Sequence, residues 1–456
     1  MSTAVCPLNQ AAPGESSGIP SLSRSEAASL EELLRGAIHR FTSWLDRVAY
    51  ESHDPYDVWG TRYGLLARRL YYARHPLGFA LVPPVLALEI LCPGLRSIFV
   101  QKQRFATADA QLLLAFLNLH RLALNSQSSS TALPLRSGER RPENSQPSTP
   151  WLVRAKELAG DLLRSSIPGY SGHCWGYPFD WQNSGALWPK NTPYITATPY
   201  CFEAFLALHD ATGESSYLDV AASIARFVST DLKDTPTGEN ASAGSYSPID
   251  TSQVINASAY RAWVLFEAAA RWGRSEHRDK AEGNLNFILQ SQRSDGSWLY
   301  GMGAPSHAYI DHFHTCFVLK NLQKINRRLG CPRVTGAVQR GYGYYRSHLF
   351  ASDGLPRSFA IQPRVQITRL ELYDLAEAIT LGTLLRREIP EADTLADGLA
   401  RRLIEDYQLP AGHFVTRVYR GGIRHTTPFL RWPQAQLFHA LTNRLLAARG
   451  AESGAA

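Results

Sequence analysis

Residues 287–298 read "FILQSQRSDGSW": a helical pattern that runs into a small polar turn with a glycine and closes on an aromatic residue. The same design returns in "YYRSHLFASDGLP" (344–356) and "IEDYQLPAGHF" (404–414), and the glycines Gly296, Gly354 and Gly412 stand 58 residues apart each time. The segments that lead into the next helices keep a similar beat. "SPIDTSQVINASAYRAW" carries Asp250, "AYIDHFHTCFVLKNL" Asp311, "ITRLELYDLAEAI" Glu371 and "TPFLRWPQAQLFHAL" Arg431, at spacings of 61, 60 and 60. A fixed period of this size marks a repeat architecture, in which one unit buries its apolar face only against its neighbours.

Each unit contains two helical stretches of unequal character. "VINASAYRAWVLFEAAARWG" (254–273) is apolar nearly all round, whereas "EHRDKAEGNLNFILQSQ" (276–292) keeps a polar face, as expected of an inner helix enclosed by an outer one. The pairs are 106–124 with 151–166, 196–212 with 216–230, 250–272 with 276–291, 311–328 with 334–349, and 368–386 with 390–407. The last helix, 429–448, lacks a successor and takes the N-terminal helix 26–49 as its partner. The expected fold is all-α: an α/α toroid of six hairpins. The domain reading is a disordered N-terminus (1–25), N-terminal helices packing on the toroid (26–105), the toroid itself (106–450) and a tail (451–456). Within the toroid, residues 125–150, rich in Ser, Pro and charge, read as a flexible loop.

Composition narrows the class. Of 456 residues, 44% are hydrophobic and 19% charged, which suits a large core and excludes wholesale disorder. The formal charge is +7 and reads as arginine spread along the helices without a basic tract, so nucleic acid is not an expected partner. Six well-separated cysteines without a C-x-x-C argue against a zinc site or disulfide framework. No signal peptide is visible, which makes the cytoplasm the default compartment. The most apolar stretch, "PLGFALVPPVLALEILCPGL" (76–95), is interrupted by prolines and Glu89 and reads as a buried helix pair rather than a membrane span.

Two resemblances follow. Gln292, Asp295, Gly296 and Trp298 resemble the glutamine–tryptophan motif of terpenoid cyclases and prenyltransferases, a device that ties helix ends together; the D-x-D-D proton donor of the cyclases is absent. "WGYPFDWQ" (175–182), "SYSPIDTSQVINAS" (245–258), "YIDHFHT" (309–315) and "FLRWPQAQLFHAL" (429–441), in this order, resemble the VpsJ-type bacterial exopolysaccharide-biosynthesis proteins of the six-hairpin glycosidase-like toroids. That resemblance implies work on a polysaccharide, with peripheral association to a membrane-bound synthesis complex as a further implication. The chain departs from it at Tyr373–Asp374, where a His–Ser pair is usual, and at Cys316, where glycine is usual.

In a toroid, the loops leading into the inner helices converge on one mouth. Acids gathered there suit glycoside chemistry, in which one carboxyl donates a proton and another activates water or attacks. The candidate catalytic residues are Asp311, His314, Asp250 and Asp180. The candidate saccharide contacts are Trp175, Tyr177, Trp181, Gln182, Tyr246, His312, Glu371, Tyr373, Arg431 and Trp432, with Arg431 suited to a substrate carboxylate or to a salt bridge with a rim acid. Each has a structural alternative: Asp250 and Asp311 as helix caps, Asp180 as a loop-fixing acceptor, Glu371 as a solvated face. His312 and His314, two apart on a helix, diverge and do not share a metal; no metal or cofactor is implied. Phe313 is expected to turn into the packing. The expected partner is a poly- or oligosaccharide, acidic in one version, handled by a hydrolase, lyase or epimerase. A non-catalytic scaffold and a terpenoid-cyclase-like lipid-binding toroid are the alternatives.

Overall fold

A computed structural model describes residues 24–130, 148–183, 186–363 and 366–450. The N-terminal segment 1–23, most of the 125–150 loop and the tail 451–456, read above as disordered or flexible, lie outside the described residues.

Fourteen α-helices are described: α1 (Arg24–Leu45), α2 (Arg62–Tyr72), α3 (Pro76–Leu91), α4 (Ala106–Ser130), α5 (Pro150–Arg164), α6 (Thr198–Thr212), α7 (Ser215–Thr230), α8 (Ile255–Trp272), α9 (Ser275–Gln290), α10 (His312–Leu329), α11 (Pro332–His348), α12 (Leu372–Leu385), α13 (Pro390–Tyr407) and α14 (Ala435–Ala448). The even-numbered helices from α4 to α14 pack each on the next, and α14 packs back on α4, so the inner ring is closed. Their partners α5, α7, α9, α11 and α13 form the outer layer, and α1 packs on α14 and α13 to complete the sixth hairpin. The burial contrast that the two helical patterns imply is present. Ile255 to Ala268 of α8 are buried without a break, whereas α9 buries one face only.

The opening stretch turns out to be a fastener. Gln292 Nε2 donates to the carbonyls of Gly296 (3.0 Å) and Ala337 (2.9 Å), and Arg340 donates to Gln292 Oε1 (2.7 Å). Trp298 is buried and gives its indole N–H to Ile288 O at 2.9 Å. Gly296 has φ +89° and lies against the Arg340 carbonyl, where a Cβ would collide. The last repeat uses the same parts. Gln408 Nε2 donates to Gly412 O and Ala37 O (both 2.9 Å), and Arg40 Nη2 donates to Gln408 Oε1 (2.6 Å). The receiving helices share a pattern, "GAVQR" (336–340) on α11 and "GAIHR" (36–40) on α1. The N-terminal helix is therefore the outer helix of a repeat that the chain starts with and finishes with, which is how the ring closes.

Short antiparallel strand pairs, absent from the all-helical expectation, stitch the mouth loops together. Gln253–Val254 pairs with Gly301–Met302, Ile310–Asp311 with Phe359–Ile361, and Thr368–Glu371 with Arg417–Tyr419. Each pair joins the loop before one inner helix to the loop before the next, so all these loops stand at the same end of the ring. The pairing also delays α8 and α12, which start at 255 and 372, not at 250 and 368; α14 starts at 435, not at 429, because a π-helical turn over Leu430–Gln434 that contains Pro433 precedes it.

The reading of 76–95 needs correction. The segment is one helix, α3, which accommodates Pro83 and Pro84 and packs on α2 and the 3₁₀ turn Pro93–Ile98. Only Gly78, Val85 and Glu89 of it are buried, because no ring helix reaches its other faces. No described helix is long and apolar enough to cross a membrane.

Candidate active site at the mouth of the ring

Asp311 ends a strand and caps α10, accepting the His314 backbone N–H at 3.0 Å. Its second oxygen lies 2.6 Å from His314 Nδ1. The carboxylate is buried and the imidazole is partly exposed, 2% and 18% by side chain. Because a helical side chain leans toward the N-terminus, His314 folds back over its own cap. Nδ1 is thereby committed to Asp311, while Nε2 has no hydrogen-bond partner among the described residues. The ring of Tyr300 lies 4.6 Å from the imidazole. Burial raises the Tyr300 hydroxyl above its ordinary pKa, and the charges of Asp311 and Asp250 add to that shift.

Behind the pair is a small cavity lined by Asn256, Trp298, Leu299, Tyr300, Asp311, His314, Thr315 and Val318. Asn256, in the first turn of α8, is 1% exposed, yet neither its amide nitrogen nor its oxygen has a protein partner. A buried amide left so costs about 1–3 kcal/mol, so it stands out as a polar group aimed at the dyad. Sequence reading passed over it, since α8 also carries Ser258, Arg261 and Glu267 and a polar residue there was no distinguishing signal.

Aromatic rings wall the mouth. Trp432 stacks on Tyr373 at 3.7 Å and 3°, and Phe313 meets Trp432 edge-on at 5.1 Å. Trp181 lies 4.4 Å from Tyr56 and carries the Arg68 guanidinium 3.7 Å above its face. Here the expected roles of two neighbours exchange. Phe313 belongs to the aromatic wall, and His312 is the residue turned into the packing, with no exposure. Its Nε2 pairs with the Tyr345 hydroxyl at 3.0 Å, and its Nδ1 is 3.6 Å from Asp374. Burial pushes His312 down to about 3 and, with the charges of Glu371 and Asp311 nearby, pushes the fully buried Asp374 well above the carboxylate range. A helix turns its residues by about 100° each, so position 312 faces outward from the ring axis where 313 and 314 face in. His312 is thus not placed to touch a saccharide.

The remaining candidates divide by their partners. Asp250 accepts from the backbone N–H of Ser247 (2.6 Å) and Ser252 (2.9 Å) and from both their hydroxyls, so it fixes its loop. Asp180 accepts the Lys190 N–H at 2.7 Å across a similar loop. The charges of Asp180 and Asp250 both act on the buried Tyr194, and those of Asp250 and Asp311 both act on Tyr300, so the three acids share one end of the ring. Glu371 receives Arg417 Nε at 2.9 Å; burial raises its pKa against that pairing.

Arg431 forms a two-pronged pair with Asp54, at 2.5 and 2.8 Å, and reaches Tyr177 Oη at 3.4 Å. The guanidinium is committed inside the protein, and its partner comes from the N-terminal segment, not from a rim acid. Trp175 is another correction: it is 1% exposed and donates its indole N–H to Leu162 O, so its face is used in the core. Tyr246 donates or accepts at Thr196 (2.7 Å), and Gln182 donates to its neighbour's carbonyl, Asn183 O (2.9 Å).

Deeper in the ring the lining stays polar. Lys320 pairs with Glu377 at 2.5 Å and Lys324 with Glu203 at 2.6 Å, while Tyr200 and Tyr260 share a hydroxyl contact of 2.7 Å. Burial opposes the charge on Lys320, but Glu377 outweighs it and holds the proton in place. Among the described residues no group of three or more His, Cys, Asp or Glu is arranged to hold a metal.

Closed ring, six hairpins and a mouth formed by the loops before the inner helices define an (α/α)6 toroid. Solved structures bear this out. A cellobiose 2-epimerase from Bacillus thermoamylovorans aligns over 75% of this chain and 88% of its own, with TM-score 0.55 and 11% identity. A GH76 α-mannanase from Bacteroides thetaiotaomicron aligns over 87% and 99%, with TM-score 0.54 and 10% identity. A D-mannose isomerase aligns over 76% and 88%, with TM-score 0.52 and 10% identity. Likeness at this identity speaks for the fold. No family model and no curated protein sequence matches the chain.

Proposed function

We propose that this toroid is a carbohydrate-active enzyme whose Asp311–His314 pair moves a proton on a bound saccharide. The observation that carries the reading is the pairing of His314: Asp311 holds Nδ1, and Nε2 of the partly exposed ring has no hydrogen-bond partner among the described residues, an arrangement that suits a general base or acid. Tyr300, Phe313 and Trp432 supply rings of the kind that pack on sugars, whereas Arg68 covers Trp181. Asp250 and Asp180, the other candidate catalytic carboxyls, are engaged by their own loops. Proton transfer at a sugar carbon, as in an epimerase, isomerase or lyase, is therefore favoured over hydrolysis. The names of the cellobiose 2-epimerase and the D-mannose isomerase are consistent with that class, and the resemblance to exopolysaccharide-biosynthesis proteins suggests a polysaccharide or its precursor as the setting.

A second reading has its own support. Asp54, Asp180, Asp250 and Glu371 all have partners, as a non-catalytic saccharide-binding scaffold would have. One experiment separates the two. The protein is incubated in D₂O with a panel of reducing sugars that includes cellobiose and mannose, and exchange at sugar carbons is followed by NMR. Exchange that His314→Gln abolishes, with sugar binding retained, supports the enzyme; binding without exchange across the panel supports the scaffold.

A further inference from the structure

Helix α3 has no place in the ring, and its surroundings are unlike any other part of the molecule. It is apolar all round, a character that calls for burial in a core or in lipid. Yet its main contacts are with α2 and with the turn Pro93–Ile98. Leu77, Phe79 and Leu91 of α3, and Leu95, Ile98 and Phe99 after it, are between 48% and 73% exposed. Leu66 and Tyr63 of α2 add 48% and 43%. A contiguous apolar face of this kind on a water-exposed protein marks an interaction site.

The mounting is rigid. Gly78 sits directly on the α2 backbone at Leu70 and Tyr71, where a Cβ would collide. On the inward side, Glu89 pairs with Arg96, and the Arg96 guanidinium lies 4.6 Å from the Phe429 ring centroid at the start of the last mouth segment. The apolar face is therefore held out from the body beside the mouth, where Arg68 of α2 covers Trp181.

Charge identifies the occupant. Residues 62–104 contain seven Lys and Arg and one acid, Glu89, so this short stretch carries six of the seven positive charges by which the whole chain exceeds neutrality. The arginines are spread along the chain as expected, but their excess over the acids lies largely in this stretch. Arg62, Arg69, Arg74 and Lys102 are exposed and take part in no ion pair among the described residues. A second copy of the chain would bring these like charges together across a two-fold contact. A surface of anionic lipid satisfies both features, since large apolar side chains enter the acyl boundary while flanking cations meet the headgroups. With sixteen residues, α3 is too short to cross a bilayer and suits insertion along its surface.

We propose that the α2–α3 hairpin inserts into the interface of an anionic lipid bilayer and holds the mouth of the ring beside the membrane. The inference is independent of the chemistry at His314. The full-length protein is sedimented with vesicles of phosphatidylcholine alone and of phosphatidylcholine mixed with phosphatidylglycerol. It is expected to pellet with the second, and raised salt should release it. The double variant Phe79→Asp/Leu91→Asp and the triple variant Arg62→Glu/Arg69→Glu/Arg74→Glu should each weaken partitioning by at least about tenfold, with melting temperatures unchanged because every substituted side chain is exposed. Protein that stays in solution with both vesicles overturns the proposal, as does equal binding to neutral vesicles. A dimer in sedimentation velocity that Phe79→Asp dissolves, without vesicle binding, overturns it in favour of a second copy.

Discussion

Asp250 and Asp311 stand 61 residues apart on the approaches to successive inner helices, and the protein uses them differently. Both stand before an inner helix, and both accept a backbone N–H. Around Asp250, Ser247 and Ser252 occupy both oxygens with backbone and hydroxyl donors, and α8 begins only at Ile255. Around Asp311, α10 begins at the very next residue, and the side chain three positions on is His314. In the repeat before it the strand that leads into the inner helix ends at Val254, which holds the cap position there, and Asp250 lies four residues upstream. The cap position holds Val254 before α8, Asp311 before α10 and Glu371 before α12, and of these three Asp311 alone accepts a bond from its own helix. The imidazole of His314 that pairs with it is likewise local to this repeat.

The largest expected effect tests that division directly. His314→Gln should lower the rate of exchange at the sugar carbon by at least about a hundredfold, the usual worth of a general acid or base. Asp250→Asn should leave the rate within about tenfold, since the loop keeps most of its hydrogen bonds. Equal losses in the two variants, measured on the same sugar, would erase the distinction between a chemical acid and a structural one.

Stability should order the pair the other way. Asp250→Ala removes acceptors from two N–H groups and two hydroxyls and should cost about 2–3 kcal/mol in urea unfolding. Asp311→Ala removes a helix cap and should cost about 1 kcal/mol. If Asp311→Ala proves the more damaging, its carboxylate is chiefly a structural element and the proton-transfer reading loses its support.

What could be read from the sequence, and what could not, follows the same line between repeat and departure. The period of about sixty residues, the fastener at Gln292 to Trp298 and the inner–outer alternation of helices are properties of local pattern, and they were enough for the ring. The pairing of Asp311 with His314 was also within reach, because both lie in one turn of one helix. Arg431 was not assignable, because its partner Asp54 is 377 residues away in a segment without a repeat signature. The loop roles of Asp180 and Asp250 depend on backbone N–H directions, which spacing does not encode. Trp175 looked like a sugar platform by composition alone, and only the packing against Leu162 shows where its face goes. Exposure of α3 was missed because an apolar helix ordinarily means a core.

A comparison within one turn of α10 gives the smallest effect and the sharpest test of the geometry. His312 and His314 are two residues apart, one sealed in the packing and one at the mouth. Burial lowers His312 from 6.5 to about 3, so the folded protein binds its proton less readily than the unfolded chain does. A depressed folded pKa contributes stability that is present above the unfolded value and is lost as pH falls toward the folded one. The window is therefore from about pH 6.5 down to 3, and between about pH 6.5 and 5.5 this histidine alone should remove about 1 kcal/mol. Asp374, 3.6 Å away, has the opposite sign: its raised pKa makes stability fall as pH rises above 3.8. Relative to the wild type, the difference between the unfolding free energies at the two pH values should move by about 1 kcal/mol in favour of pH 5.5 in His312→Gln, whatever that substitution does to stability overall. His314→Gln provides the contrast, because it leaves the buried imidazole and its pH slope in place. Should the pH difference stay at its wild-type value in His312→Gln, the proton uptake belongs to another group, and the assignment of 312 to the packing and 314 to the mouth would have to be exchanged.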